Sequence, residues 1–391
     1  MKTAISILFC LLLFAPSIVA AEEEKATLTA EDYKNQQLDE LDLQEISQFW
    51  EEISTEYGHF LPESQKGSLL DFMSGENKFS LQEWGYAFLR FIFHEITANG
   101  KLMGTLLLLA LFSAILKAVQ NAFENETVSK TAYAIVFIVL LIIALNSFYI
   151  AMNYVQDTAA AMVHFMMALL PLLLALLATS GAFVSAGLFH PLVVMLVQMS
   201  GLLIEFVILP LLFFAALLHI TSSLNSHVKV TRLANLMRTA AMGTLAVFFT
   251  VFLGVISVQG ATAAVTDGFA VRTAKFIAGN FIPVVGRMFT DAADTALGAS
   301  VLLKNTVGLA GAGILFLICA FPAFKVLVIA FIFQFTAALV QPLGEGALLE
   351  ALSVLGKTVF SMFAALAALS FMFFLALTLM VASGNISMMV R

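Results

Sequence analysis

The chain has 391 residues, 61% of them hydrophobic and only 12% charged, about half the charged share of an average soluble domain. That balance excludes an ordinary soluble globular protein and points to an all-α, polytopic membrane protein. The formal net charge of -7 comes from one region: residues 22–100 hold 17 acidic and 5 basic side chains, leaving 9 acidic and 14 basic elsewhere.

The N-terminus carries Lys2, an apolar run from Ala4 to Ala15, the helix breaker Pro16, and Val19-Ala20-Ala21 before a run of Glu. This is the order of a secretory signal peptide, residues 1–21. The apolar run is short of the roughly 20 residues a spanning helix needs, although an uncleaved anchor is the alternative. Either reading puts Glu22 onward outside the cytoplasm. Cys10 and Cys319 form neither a disulfide framework nor a metal cluster.

Residues 22–100 read as an acidic, extracytoplasmic helical segment. Leu38, Leu41, Ile46, Phe49, Ile53 and Tyr57 recur at helical spacing, and Gly58 ends the pattern. After Pro62 and a polar stretch, Leu69 to Met73 form a short apolar patch, and SGENK reads as a loop. Ser80 and Glu83 have capping-box spacing and open a helix carrying Trp84, Phe88, Phe91 and Ile92 to the membrane interface. The acidic face is either simply solvated or a docking surface for a basic partner. His94-Glu95-Ile96-Thr97-Ala98 begins like a zinc-protease signature but has Ala98 where the second His is required.

Residues 101–391 form the transmembrane domain. Apolar segments run over 102–116, 132–152, 166–178, 191–220, 243–258, 307–321, 326–340 and 359–381; several are too short or broken for simple crossings. Lys229, Arg232 and Arg238 without an acidic neighbour place residues 222–239 in the cytoplasm. With the N-terminus outside, an odd number of crossings must lie between Met152 and Ser222. One crossing plus a re-entrant hairpin, or three full spans, satisfies this.

Internal similarity bears on that choice. Val155-Gln156-Asp157, His164-Phe165 and Pro171 are echoed by Val265-Thr266-Asp267, Lys275-Phe276 and Pro283; Gly201 and Pro210 match Gly313 and Pro322. Two parallel repeats, residues 131–221 and 243–335, each with a Gly/Pro-broken hairpin, follow if the echo is a duplication rather than chance similarity of apolar sequence. Broken helices at equivalent places in two repeats are where transporters build central sites.

The stretch FIPVVGRMFTDAADTALGASVLLKN places Arg287, Asp291, Asp294 and Lys304 in membrane-like sequence. An ionisable group at bilayer depth costs from about 2.5 kcal/mol to several times that, so it marks a polar cavity or a water-facing surface. Arg287, Asp291, Asp294 and Gly298, spaced 4, 3 and 4, share one helix face. That stripe lines an aqueous path or holds a partner, or is an exposed external helix. Glu205, in an unbroken apolar run, reads as buried or cavity-facing, with an ion-coupling role or a structural bond to a neighbouring helix. The sequence has no HExxH, GxSxG or nucleotide-binding glycine loop, so no enzyme, cofactor or nucleic-acid partner is expected.

The signal peptide, the acidic segment, the basic connection and above all DAADTALGASVLLKN resemble the stage III sporulation protein AE family. The resemblance implies a permease-like or channel component of a multiprotein complex in the mother-cell membrane around the forespore. The implied partners are an ATPase, ring-forming membrane proteins and a forespore-side protein, and the complex keeps the forespore active and supports its late gene expression. A non-conducting scaffold anchoring the ring components is the alternative. The resemblance supplies no catalytic residues.

Overall fold

The computed structural model describes residues 43–74, 80–122, 126–224, 229–281, 285–343 and 346–389; the side chains of 117–130 and 274–296, several between 261 and 272, and those of 384–389 are not described. The expected signal peptide, Leu38, Leu41 and most of SGENK lie outside these residues. All described regular elements are helical, as the composition requires.

Helix α1 (Gln44–Tyr57) buries Ile46, Trp50, Ile53 and Tyr57, successive positions along one stripe of a 3.6-residue helix. A short 3-10 turn (Glu63–Gln65) and helix α2 (Leu69–Ser74) follow. Trp50 Nε1 donates to the Gly67 carbonyl at 2.9 Å, tying the loop back onto α1. Helix α3 (Leu81–Ala98) starts at Ser80, whose hydroxyl accepts from the Glu83 N–H at 3.4 Å, the cap expected from the sequence. It meets helix α4 (Gly100–Ala122) at 50°, and the bent pair has the length and composition of a broken span or a re-entrant loop. Phe91 turns inward, edge-on to Tyr57 and Phe321, and α3 thus packs on the bundle.

Helix α5 (Glu126–Thr179) runs 54 residues and contains Pro171. Two expected segments, 132–152 and 166–178, are therefore one helix. The intervening residues are polar but helix-compatible, and Thr158 satisfies itself on the Tyr154 carbonyl at 2.6 Å. Proline removes one backbone bond and kinks a helix without having to end it. The chain reverses instead at Gly181, whose φ of 87° only glycine adopts at little cost. Ala182 N–H bonds Leu177 O and Gly181 N–H bonds Ala178 O, the pair of bonds that closes a Schellman motif. Helix α6 (Phe183–Leu203), a π turn (Ile204–Ile208) and helix α7 (Leu209–Leu224) return as one rod.

Helix α8 (Thr231–Phe281) leads to α9 (Val285–Val340), 56 residues long, and α10 (Ala347–Met389) follows a 3-10 turn. The expected second Gly/Pro-broken hairpin, the one holding Arg287 to Gly298, is corrected: from Val285 onward α9 is one continuous helix, which carries Pro322 inside it and fuses the 307–321 and 326–340 segments. Its ring costs one bond, and the flanking Phe321 and Val326 are fully buried, so packing carries the helix through. Between Met152 and Ser222 the described chain has one reversal, at Gly181. Neither expected arrangement, one crossing plus a re-entrant hairpin or three full spans, is present among the described residues: α5 continues to Thr179 and a single rod returns. Among the described residues five helices are long and apolar enough to cross a membrane, or six if the bent α3–α4 pair is one span.

Helix α9 has the largest buried share of the five apolar spans, and small residues make that position accessible to it. A Cβ built on Gly308 would lie 2.3 Å from Val381 Cγ2 on α10, and one on Gly311 would lie 2.5 Å from Leu169 Cδ2 on α5. Glycine there lets three backbones approach, the usual device of membrane-helix packing.

Candidate functional site

Four polar arrangements are built into the apolar bundle. The first lies on the α5–α6 hairpin. Glu205 falls in the π turn, two residues past the middle of the apolar span Phe183–Ser223, and Gln156 Nε2 of α5 donates to its Oε1 at 3.2 Å. The expectation that Glu205 is buried is corrected, since its side chain is exposed on the outer face of the hairpin. The π turn explains this: one extra residue rotates the helix surface, and such bulges recur at functional positions. The bond to a neighbouring helix, one of the two roles read from sequence, is present.

The second is a cap supplied in trans. Ala182, at the N-cap of α6, offers no side-chain acceptor. Asp267 of α8, 1% exposed, accepts the Val184 N–H at 2.8 Å and the Ser185 N–H at 3.0 Å instead. A carboxylate there satisfies two first-turn donors and opposes the positive end of the helix dipole. Ser185 Oγ, beside it, is buried and has no hydrogen-bond partner among the described residues.

Third, Lys304 of α9 is 1% exposed and donates to the Val381 carbonyl of α10 at 2.8 Å. Gly308, one turn along the same face, is the glycine that Val381 closes over. Lys304 is therefore an interior link between α9 and α10. Gly298 is half-buried with nothing among the described residues near its Cα hydrogens, and at 100° per residue Lys304 points about 240° around the helix from it. Arg287, Asp291 and Asp294 lie on the continuous α9 backbone in register with Gly298, but their side chains are outside the described residues.

The fourth joins α1 to the bundle. Lys325 Nζ donates to Glu56 Oε1 at 2.9 Å and to the Tyr57 hydroxyl at 3.2 Å, and lies 4.9 Å from the Tyr57 ring centroid. Tyr57 stacks on Phe321 at 4.3 Å, with an angle of 8°. A cavity of about 270 Å³ between α1, α5 and α9 is lined by Glu52, Glu56, Tyr57, Tyr154, Asp157 and Pro322, among others. Burial raises the Glu56 carboxyl, but bonds from Tyr57 and Lys325 and the Lys325 charge outweigh it and hold the group below its usual value. Burial and the adjacent Glu56 push the Tyr57 phenol well up, so it stays protonated.

Sequence reasoning passed over Asp267 and Gln156 except as echo positions, and it left out Lys325 and Trp50. Their partners lie 83, 49, 269 and 17 residues away, beyond any local pattern. Among the described residues no three His, Cys, Asp or Glu side chains are placed to hold a metal.

A bundle of long apolar helices joined by a few polar links defines a multi-spanning α-helical membrane protein. The stage III sporulation protein AE family matches residues 64–384. A curated relative, the stage III sporulation protein AE of Bacillus subtilis (strain 168), is 55% identical over 372 residues, covering 95% of this chain and 93% of its own. The chain belongs to the stage III sporulation protein AE family and is a sporulation protein. No solved structure matches it.

Proposed function

We propose that the chain is the membrane-embedded, permease-like or channel component of a multiprotein complex between mother cell and forespore, needed for forespore development and late forespore gene expression. The observation that carries this reading is the placing of polar groups inside apolar spans. Glu205 and Gln156 meet at a π turn, and the buried Lys304 of α9 bonds the Val381 carbonyl of α10. Polar groups at membrane depth are costly and mark substrate or ion pathways. In this reading the chain lies in the mother-cell membrane around the forespore, with residues 22–100 extracytoplasmic. An ATPase partner supplies energy from hydrolysis, and ring-forming membrane proteins extend the passage. Helix α1 turns its apolar face to its own bundle and leaves Glu45, Glu51 and Glu52 exposed, a surface suited to those ring components.

Single cysteines at Arg287, Asp291, Asp294 and Gly298, in a chain without Cys319, test the path with membrane-impermeant thiol reagents. Labelling confined to that face, together with charge substitutions that abolish late forespore gene expression while the complex still assembles, is the expected result. Labelling all round the helix refutes a lining role for the stripe. Loss of assembly in the same variants assigns the stripe to a scaffold.

A further inference from the structure

The outer face of the α5–α6 hairpin carries an ordered set of side chains. Leu188, Pro191, Met195, Gln198, Leu202 and Glu205 are all exposed, and they recur at alternating spacings of three and four. That spacing puts them on one face of the helix, the periodicity along which helices pack lengthwise. Two members of that face are polar and one heptad apart. The neighbouring α5 reinforces them: Gln156 bonds Glu205, and the exposed His164 lies seventeen residues before Gly181, as Gln198 lies seventeen after it. The antiparallel hairpin therefore carries one polar rung, Gln156–Glu205, with the exposed His164 and Gln198 at matching distances from the reversal, set among exposed apolar side chains such as Met199 and Phe206.

Lipid does not satisfy a carboxylate or an amide at this depth. Gln156 gives Glu205 one donor and no positive charge, and the described lysines and arginines with bonds in the spans are engaged elsewhere: Lys304 on Val381, Lys325 on Glu56 and Arg238 on Ser361. A second copy of the chain does not fit. Both copies insert with the same orientation, so a two-fold axis lies along the membrane normal and sets Glu205 against Glu205 at equal depth, a like-charge contact.

We propose that this face seats a membrane-spanning helix of a different protein, one that presents a lysine or arginine to Glu205. The proposal rests on the chain being membrane-spanning and is independent of whether it conducts.

The test places a photo-crosslinking residue, p-benzoylphenylalanine, at Leu202 of the full chain in sporulating cells. A control probe goes at Leu309 of α9, also exposed. The expected adduct at position 202 is to a spanning segment of another protein with Lys or Arg within one turn of the crosslinked residue. Its yield falls at least tenfold in Glu205→Lys and survives in Glu205→Asp. Met195→Trp, which enlarges an exposed position on that face, lowers the yield as strongly and decides the matter if Glu205→Lys fails to accumulate. Adducts to lipid alone, to a second copy, or to a helix without a basic residue overturn the proposal. So does an adduct formed equally from position 309, or a yield that neither substitution moves. Thiol labelling at the Arg287 stripe is scored separately, so either idea can fail without the other.

Discussion

Replacing Asp267 with Ala tests the trans cap directly. Its two oxygens accept the N–H groups of Val184 and Ser185 at 2.8 and 3.0 Å in a site where Asp267 is almost fully buried. Loss of an N-cap side chain costs about 0.5–2 kcal/mol, and bonds to a charged acceptor about 1.5–3 kcal/mol each. Because these contributions overlap, about 3 kcal/mol is expected, all of it localised at the start of α6. Hydrogen exchange read by mass spectrometry on peptides covering residues 180–190, in detergent or nanodiscs, should accelerate roughly a hundredfold. Asp267→Asn keeps one carbonyl acceptor and should fall between. Ser185→Ala removes a buried hydroxyl that has no partner among the described residues and should leave exchange unchanged or slower. Exchange in Asp267→Ala within about threefold of the parent would show that the carboxylate does not hold the helix.

Gly308→Ala puts a methyl 2.3 Å from Val381 Cγ2 and should destabilise the bundle by about 1–3 kcal/mol, read as earlier loss of the monodisperse peak on heating in detergent; Gly298→Ala, with open space around it among the described residues, should not change that peak. Lys304→Met keeps the volume of a buried side chain while removing its bond to Val381 O; stability should stay within about 1.5 kcal/mol, so lost sporulation with an intact bundle would assign Lys304 a role beyond packing. The Glu56 carboxyl is depressed below 4.5 in the folded chain. Its contribution is therefore complete above that pH and is lost as pH falls through the lower folded value. Since 60% of its side chain is exposed, the effect is a few tenths of a kcal/mol, and acid titration of Trp50 fluorescence should show a shallow change below pH 4.5 that Lys325→Met abolishes.

The membrane class, the Ser80 cap and the buried stripe of α1 were legible in the sequence because each follows from spacing within one or two turns. Helix continuity was harder to read. Pro171 and Pro322 look like breaks locally, yet both lie inside helices, since neighbouring helices stabilise the segments on either side of the lost bond. Gly181, the true reversal, looks no different in sequence from Gly201 or Gly313, and only its positive φ distinguishes it. Glu205 was visible as an anomaly, but which way it faces depends on a π turn that no periodicity announces. Asp267 was noticed for the wrong reason: its importance lies in a helix end more than 80 residues earlier in the chain.

The length of α9 has a mechanical consequence. Its 56 residues make a rod of about 80 Å, well over twice the hydrocarbon thickness, so the rod that is packed among its neighbours at membrane depth also reaches beyond the bilayer. Pivoted near one end, a tilt of about 5° displaces the other by roughly 7 Å. Lys325 on this rod holds Glu56 and Tyr57 of α1. The Lys325 contacts therefore join α1 to a helix that is longer than the bilayer is thick.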